Sequence, residues 1–187
     1  MSGEVKDIKW GQAELAKLHV RYIPVVTPTE LWHYDMSLKN SPHVELMKIF
    51  VKQGLAWDEI CNSRYYRERE HRGRIGIDKW TEKKIRYHIK ERYGIFKSIQ
   101  RHGIKEKLLK KDPIRVLEKP FWGTRFNLKA SWYNGQEVWN GAGRCAAAYV
   151  LGCETIPVLW CKDKYPSTGK RGKFESKLRN VKGVWND

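Results

Sequence analysis

Twenty-two residues, Trp139 to Trp160, constrain this chain more than any other stretch; they read W-N-G-A-G-R-C-A-A-A-Y-V-L-G-C-E-T-I-P-V-L-W. Val138-Trp139 closes an apolar strand and Asn140-Gly141 breaks it. Ala142 to Leu151 is Ala-rich helix former, and Gly152 stands where a helix-terminating glycine belongs. Thr155 to Trp160 then reads as a second strand, in which Pro157 lacks an N–H and is confined to an edge or a non-bonding ladder position. A strand, a turn, a helix and another strand must therefore form around Gly141-Ala-Gly-Arg144. The first N–H groups of a helix have no internal partner, and two glycines let an anion approach them closely. The helix dipole favours negative charge there, and Arg144 can add a bidentate clamp. Asn140, Gly141, Ala142, Gly143 and Arg144 thus form a candidate phosphate cradle. Tight steric packing of a strand–helix turn would select the same glycines.

Charge points toward a polyanion. The 187 residues carry 37 Lys+Arg against 21 Asp+Glu, a formal charge of +16. Between Arg64 and Lys119 there are 19 basic and 8 acidic residues, so most of the excess sits in the middle of the chain. Such an excess attracts nucleic acid first and an anionic membrane surface second. The segment from Asn62 to Arg74 interleaves arginines with tyrosines, a pattern suited to phosphate contact and to stacking. Arg64, Arg67, Arg69, Arg72 and Arg74, followed by Lys83, Arg86 and Lys90, are the candidate nucleic-acid contacts, DNA before RNA. A solvated helix face with Glu68 and Glu70 pairing locally is the competing reading. No run approaches the roughly 18 apolar residues a spanning helix needs, and the start lacks a signal-peptide core, so a cytoplasmic location is expected. Cys61, Cys145, Cys153 and Cys161 show no C-x-x-C spacing and, with six scattered His, no zinc pattern, so no metal site is assigned. Free buried thiols are expected.

Along the chain, Gln12 to His19 reads as a short amphipathic helix and Tyr22 to Val26 as an apolar strand. Ser41-Pro42 is a helix start, an N-cap before an N1 proline; Val44, Met47, Ile49, Phe50 and Val51 supply an apolar face and Gly54 closes the helix. Trp57, Ile60 and Cys61 predict a second helix running into the Arg/Tyr segment and broken by Gly73 and Gly76. Asp78 is placed to cap a long basic helix that continues past Gly94 to Gly103. Pro113 to Leu117 reads as a strand. Phe126 to Trp132 alternates and turns at Asn134-Gly135, a hairpin signal, into Glu137-Val138-Trp139. The sum is an α+β domain over 1–161, a small mixed sheet flanked by helices with a basic helical insertion at about 41–94. A basic tail, 162–187, is expected to act as an arm that orders on a polyanion.

The box from Asn140 to Leu159 resembles the signature of the ParB/sulfiredoxin fold: a strand, Gly-x-x-Arg opening an Ala-rich helix, then a strand of the form T-I-P-V. The pieces here are Gly141-Ala-Gly-Arg144, Ala146-Ala-Ala148, Leu151-Gly152 and Thr155-Ile-Pro-Val158. Upstream, Ile95-Phe-Lys-Ser-Ile99 with Gly103 is similar to the family's S-I…G helix, and Pro113-Ile-Arg-Val116 to its next strand. Val25 to Leu31 fits the family's first strand more loosely, and together the matches cover about half the chain. The resemblance implies nucleotide chemistry, with a triphosphate (ATP or CTP, with Mg²⁺) at the Gly141–Arg144 helix start. Gly141 and Gly143 would offer backbone N–H groups, and Arg144 would hold a phosphate or the developing phosphoryl charge. The departures are also informative. Sulfiredoxin's reactive cysteine falls at Ala142, which removes sulfinate reduction. Serine kinases of the fold carry His at Ala142 and Gly143, and ParB carries Glu and Arg there. The chain continues for about 27 residues past Trp160, so the helix-turn-helix of a partition ParB is not expected.

Phosphoryl transfer needs a base for the attacking hydroxyl. Glu30 lies where serine kinases of this fold place a carboxylate and is the candidate, with Asp35 its rival. Trp32 and Trp122 are candidates for stacking on a base, while Trp139 and Trp160 belong to strands. Cys145 at a helix start could serve as a nucleophile, but heads a buried Ala-rich face that favours packing. Three functions are open: a nucleotide-dependent phosphotransferase or NTPase acting on nucleic acid, with Glu30 and Arg144 catalytic; a DNA-binding module without catalysis; and a metal-dependent nuclease. The last would need clustered carboxylates, and Glu30, Asp35, Glu118 and Glu137 are few.

Overall fold

A computed structural model describes residues 8–20, 37–74, 79–118 and 136–161. The segment expected to open with a helix is extended instead. Strand β1 (Ile8–Glu14) leads through a 3-10 turn, Leu15–Lys17, into strand β2 (Leu18–Val20). Long-range pairing outweighs the local helical pattern here. All seven residues of β1 pair antiparallel with the C-terminal strand, from Ile8↔Cys161 to Glu14↔Thr155. Gly11 admits the Trp160 indole, whose Nε1 would lie 2.7 Å from a Cβ at that position.

Helix α1 (Pro42–Gln53) starts where its cap predicts. Ser41 Oγ accepts the Val44 N–H at 3.3 Å and donates to the Leu38 carbonyl at 2.7 Å, and Gly54 ends the helix at φ 64°. Its buried face is Val44, Leu46, Met47 and Phe50, whereas Val51 is exposed. The next helix is two: α2 (Trp57–Asn62) and α3 (Arg64–Arg74). Ser63 separates them by donating to the Ile60 carbonyl (2.6 Å) and accepting the Tyr66 N–H (3.3 Å), which makes it the cap of α3. The long helix α4 (Glu82–His102) is capped by Thr81, whose hydroxyl accepts the Lys84 N–H at 3.3 Å; the expected cap, Asp78, lies outside the described residues. It runs through Gly94 and stops at Gly103. A short helix α5 (Glu106–Lys111), which no sequence pattern signalled, precedes β3 (Arg115–Leu117). Then come β4 (Gln136–Asn140), α6 (Ala142–Val150) and β5 (Thr155–Cys161), with Gly152 at φ 85° ending α6 as its glycine predicts. The expected strand at Tyr22 to Val26 and the Asn134-Gly135 hairpin turn lie outside the described residues.

The sheet is mixed, in the order β1-β5-β3-β4-β2. β5 is therefore internal, and an edge position for Pro157 does not hold. The non-bonding position does. Leu159 N–H donates to the Ile114 carbonyl at 2.7 Å, so alternate N–H positions of β5 face β3. β3 begins opposite Leu159, beyond Pro157, so the missing N–H forfeits no ladder bond. The architecture is α+β. The small face of α6, with Cys145, Ala146, Ala147 and Ala148 buried, lies against α1 and α4. Phe50, Ile85, Ile89 and Phe96 fill the same core. No helix among the described residues is long and apolar enough to cross a membrane.

Truncating Phe96, which is 1% exposed, to Ala should cost about 3–5 kcal/mol. Ser41→Ala should cost about 1 kcal/mol. Urea unfolding midpoints at constant m-value measure both, and equal losses would contradict this division between core and cap.

Candidate functional site at the start of helix α6

Both glycines of the turn have a steric reason to be glycine. Gly141 takes φ 98°, a left-handed conformation, and a Cβ there would meet Ile114 Cγ1 at 2.9 Å. Gly143 lies under the Arg92 side chain from α4; a Cβ would stand 2.7 Å from Arg92 Nη1 and 2.9 Å from its Cδ. The helix start has no side-chain cap. The N–H groups of Arg144 and Cys145 close on the Gly141 carbonyl at 2.8 and 3.0 Å, which leaves those of Ala142 and Gly143 without a partner among the described residues. Two open amides and two guanidinium groups therefore converge on one helix end.

A carboxylate already answers part of that charge. Asp112, in the segment joining α5 to β3, accepts from Arg144 Nη2 at 3.1 Å on Oδ2 and from Asn140 Nδ2 at 3.2 Å on Oδ1. Arg144 Nη1 also donates to the Asp112 carbonyl. Burial lowers the Arg144 pKa, Asp112 opposes that shift, and the Arg92 and Arg115 charges add to it. Arg92 itself makes no hydrogen bond or ion pair among the described residues, and its Nε is buried. Neither Asp112 nor Arg92 was expected. Arg92 had a visible signal, since it falls on the apolar face of α4 with Ile85, Ile89 and Phe96. Asp112 had none: it is 28 and 32 residues from its partners.

Beside Arg144 opens a cavity of about 310 Å³, walled by Ile95, Ile99, Ile104 and Ile156, with Ser98 and Lys105 also on its lining. That is the low end of the usual size for small-molecule sites. Cys145 is not a nucleophile here. It is fully buried, and burial pushes its pKa up to about 12 against the opposing Arg144 charge. The candidate base Glu30, its rival Asp35, and the stacking candidates Trp32 and Trp122 lie outside the described residues. Glu118 is exposed at the end of β3, and Glu137 is fully buried in β4. Among the described residues no three His, Cys, Asp or Glu side chains stand together as a metal site.

The basic segment divides into tied and open cations. Arg64 binds Glu45 through Nε (2.6 Å) and its own N–H (2.9 Å), and donates to the Asn40 carbonyl at 2.7 Å, which fastens α3 to α1. Arg74 pairs with Glu70 at 2.5 Å, and Arg86 pairs with Glu82 at 2.8 Å while lying 4.7 Å from the Trp57 ring. Arg69 is not a surface contact. Its guanidinium stacks 3.4 Å from the Tyr65 ring centroid, Nη1 donates to the Tyr65 carbonyl at 2.9 Å, and burial lowers its pKa. It lies between Tyr65 of its own helix and Trp80, just ahead of the α4 cap, in cation–π contact with both rings. Arg72 is half-buried; Arg67 is exposed and donates to Asn62 Oδ1 at 3.0 Å. Lys83 and Lys90 are exposed and make no ion pair among the described residues.

No family model, curated protein or solved structure matches the chain. The site rests on its own geometry.

Two titrating groups near Arg69, the buried His43 and the half-buried Glu68, oppose each other. His43 is held well below its usual pKa by burial and by the Arg69 and Arg92 charges, so the unfolded chain takes up a proton below pH 6.5 that the folded chain refuses. Stability gained from neutral His43 is thus lost as pH falls. Glu68 is pushed up to about 7 by burial, against Arg69 and Arg72, so the folded chain holds a proton that the unfolded chain releases above about pH 4.5. Stability is therefore lost as pH rises through that window, and the two effects cancel near pH 5–6. Glu68→Gln should remove the cancellation, leaving stability that rises with pH by up to about 1.4 kcal/mol per unit near pH 5. Chemical denaturation across pH 4.5–7.5 tests this, and a slope no different from wild type would refute it.

Proposed function

We propose that the chain binds a nucleoside triphosphate, ATP or CTP with Mg²⁺, with its phosphates at the start of α6, and uses it for phosphoryl transfer or hydrolysis on nucleic acid held by the basic helices. The observation that carries the proposal is the uncapped start of α6, faced by Arg92 and Arg144. A helix end with open amides and two guanidinium groups suits a polyphosphate better than one exposed carboxylate. The similarity of Asn140 to Leu159 to the ParB/sulfiredoxin signature supports the same placement. Asp112 acts as the resident anion, and an incoming phosphate takes Arg144 from it. Released, Asp112 is a carboxylate already at the turn, in contact with Arg144 and Asn140, and placed to accept the proton of an attacking hydroxyl or water. Bound to the phosphates, Mg²⁺ would neutralise charge on their oxygens. The apolar cavity beside Arg144 accommodates the nucleoside.

A second reading, a nucleic-acid-binding module without chemistry, is favoured by one observation: Ala142 and Gly143 bring no reactive side chain to the turn. The nuclease reading has no group of carboxylates to support it among the described residues.

Incubation with γ-labelled ATP or CTP and DNA separates the readings. Label in DNA supports transfer and free phosphate supports hydrolysis. Nucleotide binding without either supports the module, and shortened DNA the nuclease. Arg92→Ala and Arg144→Ala should each weaken nucleotide binding about tenfold or more. Asp112→Asn should tighten binding several-fold, because the competing charge is gone, while lowering turnover. Unchanged affinity in all three variants would remove the phosphates from α6.

A further inference from the structure

The outer face of α4 carries a pattern that the fold itself does not use. Lys83, Tyr87, Lys90, Gly94, Lys97 and Arg101 recur at alternating steps of four and three residues, so they form one stripe. The stripe lies opposite the inward face of Ile85, Ile89 and Phe96. It runs about 27 Å along the helix at ~1.5 Å per residue. Of the acids on α4, Glu82 pairs with Arg86, and Glu91 lies 3.1 Å from Nδ1 of His88, a ring that burial keeps toward its neutral form. Lys83, Lys90 and Arg101 are exposed and make no ion pair among the described residues, and Lys97 donates to the neutral Gln100 at 2.7 Å.

Two residues in this stripe add nothing to the core, although the Tyr87 ring meets its neighbour His88 edge-on at 5.9 Å. Tyr87 is 61% exposed, and among the described residues only Val51 is another large apolar side chain so placed. Gly94 sits in mid-helix, where glycine costs about 1 kcal/mol relative to alanine. Its φ is not positive, and a Cβ there would meet nothing within 4 Å. Space for a Cβ is present and is left empty. A glycine of that kind makes a flat spot at which another backbone can approach.

We propose that this face of α4 binds single-stranded nucleic acid. The lysines and Arg101 meet phosphates along the strand, Tyr87 stacks on one unpaired base between Lys83 and Lys90, and the sugar–phosphate backbone crosses the helix at Gly94. A single strand is favoured over a duplex because a duplex keeps the faces of its bases stacked on each other and offers none to a tyrosine. The face replaces α3 as the main contact, since the α3 arginines Arg64, Arg69 and Arg74 are tied to their own fold. The inference rests on the nucleic-acid part of the proposed function and is independent of the nucleotide site.

Binding of a fluorescently labelled, mixed-sequence single-stranded DNA by the full chain, measured against salt, tests it, with the same sequence as duplex alongside. Lys83→Gln with Lys90→Gln should flatten the slope of log K against log salt by about 1.4, at ~0.7 for each phosphate that is no longer neutralised. Tyr87→Ala should weaken single-strand binding about tenfold with the slope unchanged, and Tyr87→Phe should restore it. Gly94→Leu should raise the melting temperature yet weaken binding, a combination no purely structural role produces. If wild type binds single strands but the lysine and tyrosine variants match it, this face is wrong while the nucleic-acid reading stands. If duplex binds as tightly and Tyr87→Ala has no effect, the single-strand assignment falls. If wild type binds neither form, both readings fall together.

Discussion

The close approach of α6 to its neighbours holds the rest of the structure in place. Cys145, Ala146, Ala147 and Ala148 present so little volume that α6 lies directly against α1 and α4. Gly143 passes under Arg92, and Gly141 turns the chain against Ile114. Larger side chains at 145–148 would press α6 away from α1 and α4, whereas a Cβ at position 143 would displace the end of the flexible Arg92 side chain from the turn. The same short distances set the chemistry of the candidate site, because they bring an arginine of α4 over a helix end that already carries positive partial charge. Steric and electrostatic roles of the glycines are therefore one arrangement rather than rivals.

That arrangement concentrates like charge. Arg92 adds to the field at His43, Arg69 and Arg144, and burial disfavours the charged form of each. Among the described residues only Asp112 brings a carboxylate to the α6 end of this group, and it stands 67% exposed. The Arg144 side chain it meets is only 16% exposed, so the pair spans the boundary between the buried helix end and solvent. Under the proposed function, phosphate takes the place of this carboxylate on Arg144. Elsewhere the basic residues separate by partner. Arg64 fastens two helices, Arg69 is half-buried against Tyr65, and most of the stripe on α4 is left to solvent.

Much of the architecture could be read from local signals. The boundaries of α1 at Ser41 and Gly54, of α4 at Gly103, and of α6 at Gly141 and Gly152 follow from caps and glycines that act within one helical turn. Local signals mislead at β1: the helical spacing from Gln12 to His19 gives way to the end of a strand paired antiparallel with β5, then a 3-10 turn and β2. They also merge two helices at Ser63, whose hydroxyl caps one of them. Pro157 was rightly restricted, but whether at an edge or inside the sheet depended on where β3 begins.

By itself the sequence determined a strand–turn–helix–strand with a Gly-x-Gly-Arg start, a long basic helix, and an excess of positive charge in the middle of the chain. Each of these rests on backbone preferences and side-chain chemistry that operate over a few residues. Only the tertiary structure decided that Asp112 closes on Arg144 and Asn140, that Arg92 lies over Gly143, and which arginines are left to meet a partner. Those outcomes depend on contacts between residues tens of positions apart, which no local pattern encodes.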